Sequence, residues 1–194
     1  MGAIFSSLGR TVTAGVVIVL VMMGIAGTFH RVGDMDWWLF FLRWLHVISG
    51  VMWIGLLWYF NFVQTPSMPK IPDEQKPAIS KVIAPAALFW FRWAAMATLI
   101  TGLLVAGAHG YIFRALSLQE GVRTIGFGMW FAIVMWFNVW FIIWPNQKKV
   151  LGIVTVDASA KAAAAKMAGM ASRFNTMLSI PMLYCMVGQS HLGF

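Results

Sequence analysis

The sequence predicts an all-α integral membrane protein, a single bundle of five transmembrane helices forming one domain over residues 1–194. Three observations carry that expectation. Of the 194 residues, 60% are hydrophobic and only 10% charged, with a mean hydropathy of +0.79. A soluble domain has no use for so much apolar surface. Apolar runs recur at the length of about 20 residues that a helix needs to cross a bilayer. Lys and Arg also divide unequally between successive loops, the mark of a multi-pass chain.

The first span is residues 11–29, TVTAGVVIVLVMMGIAGTF. It is long for the apolar core of a signal peptide and is read as a retained span. The second, residues 37–64, is WWLFFLRWLHVISGVMWIGLLWYFNFVQ, and the chain is organised around it. Residues 65–84 are broken by Pro66, Pro69, Pro72 and Pro77. The first three favour extended backbone, and a surface helix is expected over 76–83. The third span is 85–107, with His109 just past its end, and a loop follows over 111–125. The fourth span, 126–144, is closed by Pro145. Asp157 is suited to cap a surface helix over about 158–172, with Lys161 and Lys166 towards water or headgroups. The fifth span, 175–194, contains Pro181 and should kink there.

With five spans, one side collects Arg10, Lys70, Lys76, Lys81, Lys148, Lys149, Lys161, Lys166 and Arg173. The other holds Arg31, Arg114 and Arg123, nearly balanced by Asp34, Asp36 and Glu120. The N-terminus is therefore expected in the cytoplasm and the C-terminus outside. The net charge of +8 is topological, so lipid is the expected partner and nucleic acid is not. One cysteine, Cys185, excludes an internal disulfide framework and a cysteine-ligated cluster.

Chemistry is expected at the histidines. An ionisable group inside a span is a functional candidate by default. His46 and Arg43, three apart, share a face of the second span, and His46 lies about 13 Å in from Trp37. The same orientation brings His30, His109 and His191 towards the external side. His30, at the end of the first span, is read as interfacial rather than as a ligand. Copper or zinc would suit imidazole, but no carboxylate or thiol joins the group. A haem fits better, with His46 as one axial ligand and His109 or His191 as the other. Gly50 on the second span, and Ala95, Thr98, Gly102 and Ala106 on the third, would give a flat ligand a thin wall. Close helix packing of small residues reads the same stripe equally well. Arg43 would pair with a propionate, and Trp53, two turns from His46, is the tryptophan best placed for haem contact. Arg92 is expected to snorkel and Asn138 to bond a neighbouring helix. Every acidic residue falls in a loop, which argues against a pump or proton-coupled transporter.

Three segments, RWLHVISGVMWIGLLWYF, FNVWFIIWPNQKKVLG and SRFNTMLSIPMLYCMVGQSH, resemble the membrane domain of bacterial membrane-bound urate hydroxylases of the PuuD type, the urate-oxidase N-terminal family. The second span alone also resembles, more loosely, the HemJ protoporphyrinogen oxidases and the copper-resistance D proteins. The resemblance implies a helical bundle of the bacterial inner (plasma) membrane carrying haem b. His46 matches the histidine implicated in haem binding in HemJ-like proteins, and His191 matches the histidine closing the family's last helix. In the hydroxylases a cytochrome c domain accepts the electrons, which implies a periplasmic cytochrome c as partner. The expected role is electron transfer near the periplasmic face. Alternatives are a non-enzymatic accessory subunit of a larger respiratory or photosynthetic complex, and a membrane oxidase of urate or porphyrinogen.

Overall fold

The computed structural model describes residues 2–191, with no side-chain description at Ala3, and the last three residues of the expected fifth span lie outside it. Among the described residues every regular element is helical. The principal helices are α1 (Leu8–Ile25), α2 (Met35–Lys70), α3 (Lys76–Ala108), α4 (Ile112–Leu116), α5 (Arg123–Val150) and α6 (Ala158–His191). Four of them, α1, α2, α3 and α5, are long and apolar enough to cross a membrane.

The chain divides into two compact units, Met1–Phe41 and Leu42–Phe194. In the first, α1 buries none of its side chains and is apolar on every face, which suits a helix surrounded by lipid. Arg31 pairs with Asp34 at 3.6 Å, and Trp37 stacks on Phe41 with ring centroids 5.1 Å apart.

The second unit is held by polar bonds between helices, where lipid offers no competing partner. Asn138 Nδ2 donates to Asn175 Oδ1 at 2.8 Å, and Asn175 Nδ2 donates to the Met135 carbonyl at 2.9 Å, joining α5 to α6. Asn138 is thus the interhelical bond expected of it. Trp58 Nε1 donates to Ser179 Oγ and Asn61 Nδ2 to Ser172 Oγ, joining α2 to α6. The Gln189 side chain accepts from the Ile125 amide and donates to the Gly121 carbonyl, tying the end of α6 to the start of α5. Gly128 is required where α5 meets α6, because a Cβ there would stand 2.9 Å from Cys185 Cβ.

Several expectations are corrected. Pro66, Pro69 and Pro145 neither extend nor end the chain's helices: α2 continues to Lys70 and α5 to Val150. The reason is local. A proline crowds the carbonyl four residues before it. For Pro66, Pro85 and Pro145 those residues are Phe62, Lys81 and Phe141. Each lies inside a π-helical stretch, Tyr59–Gln64, Ile79–Ile83 and Asn138–Ile143 respectively. Widening the ladder there makes room for the ring. The surface helix over 158–172 is not separate: it runs without a break into the fifth apolar segment as the single helix α6, 34 residues long. The expected 111–125 loop contains α4, packed so closely on α5 that a Cβ at Gly126 would collide with the Ala115 carbonyl. The helix cap at Asp157 is present, its carboxylate accepting from the Ala160 amide at 2.7 Å.

Two core clusters form. The larger contains Trp53, Leu57, Phe91, Ala95, Met135 and Met182; the smaller is Ala106, Ala115, Ile125 and Met129. Between them the second unit is hollow.

Candidate functional site

The hollow is a cavity of about 730 Å³, bounded by members of both clusters. Its walls are the α2 face running from Arg43 through His46, Gly50 and Ile54 to Trp58, the α3 face from Thr98 to Ala106, and apolar residues of α5 and α6. Volumes of roughly 300–1,000 Å³ take drug-sized and cofactor-sized ligands.

His46 is half-buried in the wall between α2 and α3. Its Nδ1 lies 3.0 Å from the Thr98 carbonyl, which can only accept, so Nδ1 carries the hydrogen. The Thr101 hydroxyl, itself donating to the Ala97 carbonyl, stands 3.2 Å from the same nitrogen. The lone pair of the neutral ring is then on Nε2, which has no protein hydrogen-bond partner among the described residues. This is the arrangement a metal-ligating histidine adopts, one nitrogen donating to a carbonyl and the other available. Gly102 makes it possible: a Cβ there would stand 2.8 Å from His46 Cε1. Gly50 faces Thr98 in the same wall, its Cβ position 3.9 Å from the Thr98 methyl.

Trp53 is 1% exposed and lines the cavity, yet its Nε1–H has no partner. A buried donor left unmade costs about 1–3 kcal/mol. Arg43, Tyr111, Gln189 and Ser190 supply polar groups to the lining.

The other expected residues are elsewhere. His109 is exposed and does not line the cavity; its Nδ1–H donates to the Val105 carbonyl at 2.8 Å. Its Nε2 accepts from Arg43 Nη2 at 3.1 Å, so both ring nitrogens are engaged. His191 is also exposed and outside the wall, its Nδ1–H bonded to the Val187 carbonyl. His30 belongs to the first unit, exposed in the turn Phe29–Gly33. The structure therefore brings His46, Arg43, Gly50, Trp53 and Gly102 together at one cavity, without His109 or His191. Among the described residues no three His, Cys, Asp or Glu side chains gather as a metal site. Arg92 Cζ stands over the Trp144 ring, 3.3 Å from its centroid, and Arg92 does not line the cavity.

Sequence reasoning passed over Thr101 and Gln189. Both carry the signal that singled out His46, a hydrogen-bonding side chain within an apolar helix. The three methionines of the α5–α6 wall, Met129, Met182 and Met186, carry no local signal. Only the packing of two distant segments collects them.

No curated protein and no solved structure matches the chain. Residues 110–194 match the family model described as urate oxidase N-terminal, a stretch covering α4, α5 and α6. Two of the three segments whose resemblance is described above lie within it, and the third, on α2, lies before it. Over this stretch, the C-terminal part of the chain is similar to the urate oxidase N-terminal family.

Proposed function

We propose that this chain is a haem b protein of the bacterial inner membrane that transfers electrons near the periplasmic face. The observation that carries the reading is His46: a buried-side imidazole whose Nδ1–H is fixed on α3 and whose Nε2 is free at the wall of a cavity of about 730 Å³. The residues present fit an iron porphyrin. Gly102 and Gly50 thin the wall beside the ligand, and Trp53 offers an unpartnered N–H. Arg43 at the external end is suited to a carboxylate. Bound there, the iron would supply one-electron oxidation and reduction. The chain's own work is to hold the imidazole in one tautomer, keep water from the apolar walls and neutralise an acidic edge.

The topology that goes with this reading has five spans, with α6 as the fifth, the N-terminus cytoplasmic and the C-terminus periplasmic. Phe174, Met177, Ile180 and Tyr184 form an exposed apolar stripe along α6, which supports a lipid-facing helix. A periplasmic cytochrome c, or a larger membrane complex, would then meet the end where Arg43 opens the cavity.

The test is the pyridine haemochrome spectrum of the purified protein beside His46→Ala. Haem in the wild type at a fixed ratio to protein, lost in the variant, is the expected result. A colourless wild type contradicts the proposal. The family match favours a second reading, oxidation of urate with a cytochrome c acceptor. Urate turnover abolished by His46→Ala would establish it.

A further inference from the structure

Met186 lines the same cavity as His46, from the α5–α6 wall, and we infer that its thioether sulfur, rather than a second imidazole, would be the other axial ligand of the iron. The inference rests on the haem reading above and names the missing ligand.

The α2–α3 wall offers one free lone pair, Nε2 of His46. The α5–α6 wall offers three thioethers, Met129, Met182 and Met186. Depth in the bundle separates them. His46 bonds α3 at Thr98 and Thr101, between Ala95 of the larger core cluster and Ala106 of the smaller. Its level is therefore between the two clusters. Met182 belongs to the larger cluster and Met129 to the smaller. Met186 alone among the described residues packs against both, which sets it at the level of His46. It is half-buried, its Cε 3.4 Å from the Cβ position of Gly128 on α5, whereas Met129 and Met182 are 8% and 4% exposed.

The chemistry agrees. A thioether is an uncharged ligand that needs no deprotonation, so an otherwise apolar wall can present it without stranding a charge. Its unbranched chain with three rotatable bonds can reach for a metal where a branched residue could not. His–Met ligation also raises the potential of a haem, which favours accepting an electron within the membrane. The alternative imidazoles are engaged or outside: His109 through both nitrogens, and His191 off the cavity wall. Thioethers also select Cu(I), but a single ion would leave most of a space of about 730 Å³ without purpose.

The experiment is near-infrared magnetic circular dichroism and redox titration of the oxidised full-length protein in detergent, with haem counted as the pyridine haemochrome. The wild type should show the sulfur-to-iron charge-transfer band. Met186→Leu should keep its haem content within twofold, lose the band, turn high-spin and fall in midpoint potential. Met186→His should give a low-spin bis-imidazole spectrum, also at lower potential. His109→Ala and His191→Ala should keep the band. A haem-loaded wild type without the band, a band that survives Met186→Leu, or one removed by Met129→Leu or Met182→Leu instead, overturns the assignment to Met186 alone. A wild type that binds Cu(I) and no haem overturns the haem reading and this assignment together.

Discussion

Gly102 carries no Cβ, and one added there would stand 2.8 Å from Cε1 and 3.2 Å from Nδ1 of His46. Neither α2 nor α3 can yield cheaply, because the Nδ1–H bond to Thr98 holds the two backbones together at that height. Gly102→Ala is therefore expected to swing the ring out of its bond, lowering haem content severalfold, with thermal stability in detergent falling by about 1–3 kcal/mol. An alanine variant with full haem content would remove Gly102 from the site. His46 itself was legible in the sequence, since an imidazole deep in an apolar run needs a reason to be there. What fixes it was not. Thr98 was legible only as a small residue, and its backbone carbonyl, the actual acceptor, leaves no trace in residue identity. Arg43 shows the opposite case. Its charge was legible, and its bond to His109 joins residues 66 apart.

At the scale of elements, α6 does more than its composition announces. Its polar residues Ser172, Asn175, Ser179 and Gln189 each bond another helix. Asn175→Ala leaves the buried Asn138 side-chain amide without its partner and removes one of the bonds to the Met135 carbonyl, and should cost about 1 kcal/mol, read as a lower unfolding midpoint in detergent. Replacing both asparagines by leucine should cost less than the sum of the single changes. The N-terminus of α6 is open to acid. The Ser159 hydroxyl, and then the Ala160 amide, hold the Asp157 carboxyl below its usual range. A depressed carboxylate stabilises above the unfolded-state titration and loses that contribution as pH falls through the folded-state value. Hydrogen exchange at the Ala160 amide, corrected for its intrinsic rate, should lose protection at low pH in the wild type. Asp157→Asn should show no such change, and a pH-independent wild type would contradict the cap. Helix existence followed from hydropathy, whereas helix ends did not. Pro66 and Pro145 read as breaks because the usual rule assumes an unwidened ladder, and π-helical widening depends on packing that no short window displays.

At the scale of the whole molecule, the four long apolar helices were legible from composition, because lipid forces each span to declare itself. The cavity was not, since its walls come from segments far apart in sequence. The proposed topology rests on the charge asymmetry of the loops. In a Cys185→Ser background, an impermeant maleimide applied to intact cells is expected to label Glu120→Cys and not Lys149→Cys, and the reverse pattern would invert the orientation. Haem near the periplasmic face needs that orientation, a free imidazole and a cavity at once. One absorption measurement addresses them most directly: the reduced-minus-oxidised spectrum of purified wild type and His46→Ala, with pyridine haemochrome quantification. A b-type spectrum in the wild type that disappears with the imidazole is the result expected. A wild type without haem bands, or a variant that retains them in full, would contradict haem ligation by His46.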